Sequence, residues 1–179
     1  NRGKPEKTRF IALRNSYHGE TLGALSMADI PLYRQVYSPL LLEPLFAPSP
    51  DYFGKYEHET DAQCALRCAA ELEAIMAKHH HEVSALILEP LVQCAGGMRM
   101  YHPVYLEQAR RLCTHYGIHL IADEIAVGFG RTGSFFACEQ AAISPDFLCL
   151  SKGLTGGFLP MSAVLTTEPV FESFLSSER

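Results

Sequence analysis

The sequence has no apolar run approaching the ~20 residues that a membrane-spanning helix needs. It opens on no secretory leader: Asn1 to Thr8 is polar and basic, and the first apolar stretch after it is short. It has no excess of basic residues. The formal net charge is −5 with acids and bases interspersed, which argues against a surface for nucleic acid or anionic membrane. No repeat, low-complexity tract or linker divides it. The six cysteines, Cys64, Cys68, Cys94, Cys113, Cys138 and Cys149, lack the spacing of a disulfide framework or of a known zinc site. They read as reduced, buried or half-buried thiols of a cytoplasmic protein. Cys64 and Cys68 share a helix face ahead of His79, His80 and His81, but that histidine run reads as a solvated helix end rather than a metal site.

What is present is 179 residues, enough for one domain with a real core. The recurring unit is an apolar strand, a polar turn and a helix. Strands are expected at Phe10 to Leu13, Ser84 to Leu88, His119 to Ala122 and Phe147 to Leu150, with a further one at Ser162 to Leu165. Helices are expected from Thr60 to about Lys78, from Pro103 to Tyr116 with Gly117 as the stop, and from Glu168 to Leu175. On the first of these helices Ala62, Ala65, Leu66, Ala69, Leu72 and Met76 fall on one face. Residues 31 to 54, rich in Pro and Tyr, read as irregular surface structure. Nearly all-apolar strands separated by helices predict an α/β fold, a mostly parallel sheet with helices on both faces.

In such sheets ligands bind beyond the carboxyl ends of the strands. Four strands here end in chemically capable groups: Tyr17 and His18, Glu89, Asp123, and Lys152. Lys152 follows a buried strand, where desolvation lowers a lysine's pKa and makes its amine nucleophilic. Gly153, Gly156 and Gly157 behind it permit close approach of a ligand. Alone, Lys152 reads better as a strand-ending lysine that snorkels to solvent. Asp123 shifts that balance, because a carboxylate ending a neighbouring buried strand needs a partner. The protonated ring nitrogen of pyridoxal phosphate is such a partner, and the pairing keeps the ring able to absorb electrons. A helix cap or a local Arg is the other reading of Asp123. Glu124 points elsewhere and is structural. Tyr17 is a candidate to stack on a cofactor ring or simply to pack. Glu89 either orients polar groups near that ring or is a buried carboxylate satisfied by backbone donors.

Gly128-Phe129-Gly130-Arg131-Thr132-Gly133 matches the dinucleotide pattern and follows a strand. The nicotinamide reading also needs those glycines to be the strand-to-helix turn, and an acid ending the next strand. Five residues, Asp123 to Val127, intervene, a poor helix former follows, and the next strand ends in Lys152.

Together these segments resemble the class III, fold-type I pyridoxal-phosphate aminotransferases. The stretches that carry the likeness are Tyr17 to Thr21, Glu89 to Gln93, Leu120 to Ile125, Gly128 to Gly133 and Leu150 to Gly157, in family order and spacing along nearly the whole chain. Ala95 to Pro103 and Phe136 to Glu139 are most similar to the branch serving biotin biosynthesis. The resemblance implies Lys152 as the residue that carries pyridoxal 5'-phosphate and moves the proton, and Asp123 as partner of the pyridine nitrogen. It implies Tyr17 and Ile125 on the two sides of the ring, Glu89 near it, and Arg131 near the substrate with Tyr17 and Lys152. For that branch the implied reaction passes an amine from S-adenosylmethionine to 8-amino-7-oxononanoate, giving 7,8-diaminononanoate, in a cytoplasmic homodimer. An ω-amino-acid or diamine aminotransferase using pyruvate is the nearest alternative, followed by an aminomutase of the same fold. The family's phosphate-binding Gly-Ser turn is expected upstream of Asn1. A phosphate-binding Thr and a carboxylate-binding Arg are expected downstream of Arg179. Residues 1–179 are therefore expected to be an internal piece of the cofactor-binding large domain, without the N-terminal segment and the C-terminal small domain, and inactive alone. Glu20 stands where the biotin branch is expected to carry Asp, a departure that bears on substrate recognition.

Overall fold

The computed structural model describes residues 3–175 of the protein. Strand β1 (Arg9–Leu13) is followed by two short helices, α1 (Leu22–Ser26) and α2 (Pro31–Arg34), and by β2 (Leu45–Ala47). Helix α3 (Asp61–His79) returns the chain to β3 (Val83–Leu88). A small antiparallel hairpin, β4 (Val92–Gln93) with β5 (Arg99–Met100), precedes α4 (Val104–Tyr116). Strands β6 (His119–Asp123), β7 (Phe147–Leu150) and β8 (Ala163–Thr166) and helix α5 (Glu168–Glu172) complete the described fold.

Six strands form one sheet in the order β2-β1-β3-β6-β7-β8. The first five run parallel and β8 is antiparallel to β7. Helices α3 and α4 pack on each other and share a core with Ile11, Leu13, Leu86, Leu88 and Leu120. The sequence explains why α3 forms. Thr60 and Gln63 make a reciprocal capping box at its start. Cys64, Cys68, Leu72 and Met76, four residues apart, then lay one buried stripe along it. Leu72 is fully buried, an interaction stabilising by roughly 1.5–3 kcal/mol. Gly117 ends α4 in the left-handed conformation, as expected.

Two expectations need correction. Leu66 lies off the buried stripe of α3 and is 44% exposed, since the buried face is centred on Cys64 and Cys68 instead. The irregular stretch 31 to 54 contains α2 and the three-residue strand β2, which is too short for a periodic signal. The β4–β5 hairpin is shorter still. On the edge strand β8, Val164 and Leu165 are more than half exposed. Among the described residues no helix is long and apolar enough to cross a membrane.

The strand order sets where chemistry gathers. From β1 the chain runs outward to β2, then crosses back to β3 on the other side of β1. The loops leaving β1 and β3 therefore diverge at their carboxyl ends, which opens a crevice in doubly wound sheets.

Candidate active site

The loop leaving β1 carries Tyr17 and His18, and the loop leaving β3 carries Glu89. Glu89 ties the two together. Its Oε1 accepts the Tyr17 backbone N–H at 3.1 Å and its Oε2 accepts the Cys94 N–H at 2.9 Å. The Tyr101 hydroxyl closes the loop by donating to the Glu89 carbonyl at 2.6 Å. Glu89 is thus a buried carboxylate satisfied by backbone donors, the plainer of its two readings. Burial pushes its carboxyl above the usual range, opposed by the His18 charge and the two backbone donors.

Asp123 ends β6 and is 6% exposed. Its Oδ2 lies 2.8 Å from His18 Nδ1, and its Oδ1 accepts the Ile125 N–H at 3.1 Å. Neighbouring Glu124 is fully buried and faces away. Its two oxygens accept the N–H groups of Ala137 and Cys138, each at 2.8 Å, capping the 3₁₀ helix Ala137–Ala141. The alternation of a strand end thus gives these two adjacent acids opposite duties.

Lys152 opens the 3₁₀ turn after β7. Its expected low-dielectric setting is not supplied by the described residues: the side chain is exposed and makes no hydrogen bond or ion pair among them. The backbone there is unusual, with φ at +38°. Asn15, Leu91 and Phe129, in the loops after β1, β3 and β6, also have positive φ. Outside Asn, each such residue costs on the order of 1–3 kcal/mol. Four successive strand-end loops carrying this conformation mark that end of the sheet as the functional one.

The glycine-rich run has a packing duty. It is followed by turns and a 3₁₀ helix, so the dinucleotide context is missing. Phe129 from this run packs against Gly153, beside Lys152, and also meets Phe135 and Phe136. Arg131 is exposed in the same loop. Burial and then the Glu89 charge raise the half-buried Cys94 thiol, with Lys152 and Arg131 opposing. Tyr17 is partly exposed, its ring 5.3 Å from that of Tyr33 and its hydroxyl 3.2 Å from Glu20 Oε1. Burial and then the Glu20 contact raise its hydroxyl pKa. Ile125 is half-buried directly beyond Asp123.

His18 is the residue to which the sequence assigns a place and no role. The signal was its position one residue beyond Tyr17 at a strand end, but its partner lies 105 residues away. A larger cavity of about 730 Å³ opens at the opposite end of the sheet, by Lys7, Arg110, His119 and Phe147. Size alone favours that end. The strained loops and the His18–Asp123 pair favour the other, and in parallel sheets the carboxyl ends are where ligands bind.

The aminotransferase class-III family profile matches residues 1–179. The chain is 48% identical over 178 residues to the adenosylmethionine-8-amino-7-oxononanoate aminotransferase of Geobacter sulfurreducens, covering 99% of this chain and 39% of that protein. It is 52% identical over 168 residues to the enzyme of the same name from Helicobacter pylori, covering 94% and 36%. The chain thus spans well under half the length of these relatives. Among solved structures, the omega transaminase of Pseudomonas jessenii in complex with PMP superposes with a TM-score of 0.88 at 35% identity, covering 95% of this chain and 38% of that one. The adenosylmethionine-8-amino-7-oxononanoate aminotransferase of Methanocaldococcus jannaschii gives 0.85 at 38% identity, covering 99% and 38%. Matched along its whole length, and close to half identical to these two relatives, this chain belongs to the class-III aminotransferases.

Proposed function

We propose that residues 1–179 are the central part of the large domain of a pyridoxal-phosphate aminotransferase. We further propose that the intact protein passes an amine from S-adenosylmethionine to 8-amino-7-oxononanoate, forming 7,8-diaminononanoate for biotin. The observation that carries the cofactor reading is one juxtaposition: the buried carboxylate of Asp123 ends β6, and the exposed amine of Lys152 follows the adjacent strand β7. The substrate reading rests on the relatives' names and their identity along nearly the whole chain.

The residues present fit the cofactor. Asp123 has lone pairs to spare beyond those used by His18 and Ile125, so its carboxylate has room for a protonated ring nitrogen. When bound, the cofactor supplies an electron sink for the carbanion at the substrate's amine-bearing carbon. The other duties fall to side chains. Asp123 holds the ring nitrogen protonated. Lys152 would anchor the cofactor, and its amine would serve as general base and acid for the proton at the substrate carbon. Tyr17 and Ile125 would flank the ring, and Glu89 holds the Tyr17 backbone in place. Arg131 lies toward the substrate.

Glu20 borders a cavity of about 240 Å³ with Tyr33, Leu32 and Val36, giving an amine-bearing chain an acid and apolar walls. We place the protein in the cytoplasm as a homodimer. The test is donor and acceptor preference of the intact protein. Turnover of 8-amino-7-oxononanoate with S-adenosylmethionine supports the proposal. Turnover with pyruvate and alanine, and none with 8-amino-7-oxononanoate, would reassign it to the pyruvate-using branch.

A further inference from the structure

The segment that carries Tyr17 leaves β1 at Arg14, and the region of the β4–β5 hairpin touches it at three successive places. Gln93, on β4, donates from its amide Nε2 to the Arg14 carbonyl at 2.8 Å. Gly96, at the hairpin's turn, lies against the Asn15 carbonyl, 2.1 Å from where a Cβ would stand. Glu89, just before the hairpin, accepts the Tyr17 N–H.

Gln93 is fully buried, and both ends of its amide are used. Oε1 faces the Ser49 hydroxyl in the loop after β2, and that hydroxyl also meets Asp51 Oδ2. Its one hydrogen serves one of these two oxygens at a time. The amide has one sensible orientation, because the reverse would set two acceptor oxygens face to face at Arg14. Asp51 Oδ1 accepts from Arg99 Nη1 at 3.2 Å, and Arg99, opposite Gln93 in the hairpin, donates from Nε to the Gly96 carbonyl at 3.0 Å. One buried side chain thus joins the ends of β1 and β2 to the hairpin.

A glutamine is an expensive way to fill this space. Its amide loses hydration that the new hydrogen bonds only replace, and a Met of similar length would carry no such cost. What the amide alone supplies is a donor for the Arg14 carbonyl, one residue beyond β1. The next residue, Asn15, has φ at +63°, so the chain turns there toward Tyr17. A shift at Arg14 is carried through that turn into the Tyr17 ring.

We propose that Gln93 is a positioning residue for Tyr17: its amide holds the Arg14 carbonyl, and with it the turn from which the Tyr17 ring projects. This rests on the reading of Tyr17 as a residue that flanks the cofactor ring. It extends that reading by making the placement of Tyr17 depend on the β4–β5 hairpin.

The test is a double-mutant cycle on the intact, cofactor-loaded protein. Gln93→Met keeps the length and removes the amide, and Tyr17→Ala removes the ring. The readouts are kcat, KM and the visible circular dichroism of the bound cofactor, at a temperature where every variant is folded. Gln93→Met alone should change the dichroism and lower kcat/KM by roughly 10–100-fold, mostly in kcat, as misplacement by about an ångström does. In the Tyr17→Ala background the same substitution should cost about twofold or less, since no ring is left to misplace. Equal losses in the two backgrounds overturn the proposal, and so does Gln93→Met with the parent's kcat/KM and dichroism. Should Gln93→Met fail to fold, Gln93→Asn takes its place and is judged in the same way: it keeps an amide but is one methylene too short to span from Ser49 to Arg14. Tyr17→Ala alone separates this inference from the reading beneath it. If it leaves kcat/KM and the dichroism unchanged, the assignment of Tyr17 fails and the inference with it. If it changes both, and the Gln93 substitution costs the same with or without the ring, only the role of Gln93 fails.

Discussion

Phe129 lies over Gly153 so closely that an added Cβ would come within 2.7 Å of its ring. The contact joins the glycine-rich loop after β6 to the backbone of the turn that carries Lys152. Gly153→Ala must therefore push Phe129 aside and drag the Lys152 turn with it. We expect a stability loss of about 1–3 kcal/mol by chemical denaturation. The intact protein should also bind pyridoxal phosphate roughly tenfold more weakly in a spectral titration, equivalent to about 1.4 kcal/mol. Unchanged cofactor affinity would mean that this contact does not set the lysine.

Glu124 should separate cleanly from Asp123. Replacing it by Ala leaves the N–H groups of Ala137 and Cys138 buried and unpaired. The expected loss is about 3 kcal/mol of stability, read from urea midpoints, with the cofactor's visible band retained. A protein of normal stability that has lost the band would instead give Glu124 a chemical role.

Gly96 underlies the loop of Tyr17. A Cβ at Gly96 would lie 2.1 Å from the carbonyl oxygen of Asn15, and a backbone atom cannot rotate away as a side chain can. Gly96→Ala should cost about 3 kcal/mol or more and lower the thermal midpoint by several degrees. Differential scanning fluorimetry reads this directly. A variant with the parent's midpoint would show that the two loops are not in this contact.

The pair Glu59–Arg67 sets an acid limit. Hydrogen bonds from Arg67 and then from the Tyr56 N–H hold the Glu59 carboxyl down at about 2, from its ordinary 4.5. A folded pKa below the unfolded one means the unfolded chain binds protons more readily. The contribution is then complete above 4.5 and is lost as pH falls toward 2. Urea midpoints should drop across that window, and Glu59→Gln should flatten its share of the drop. Identical pH profiles for the two proteins would dismiss the pair.

Much of this was legible in the sequence because it lies within single elements. The apolar strands, the extent of α3 and the stop at Gly117 are local patterns, and each left its mark in residue spacing. Glu124 could be told from Asp123 by strand alternation alone. What stayed hidden depends on distant partners. His18 meets Asp123 across 105 residues, and Phe129 meets Gly153 from a different strand-end loop. Strand β2 and the β4–β5 hairpin hold two or three residues per strand, fewer than periodicity can register. Leu66 misled because apolar character was taken for burial.

The central claim is that Lys152 carries the cofactor, and borohydride reduction of the intact protein tests it most directly. The account predicts a yellow preparation whose visible band is bleached by borohydride, with the reduced cofactor fixed on the peptide containing Lys152 and absent from a Lys152→Ala variant. A colourless protein, or label on another lysine, would contradict it.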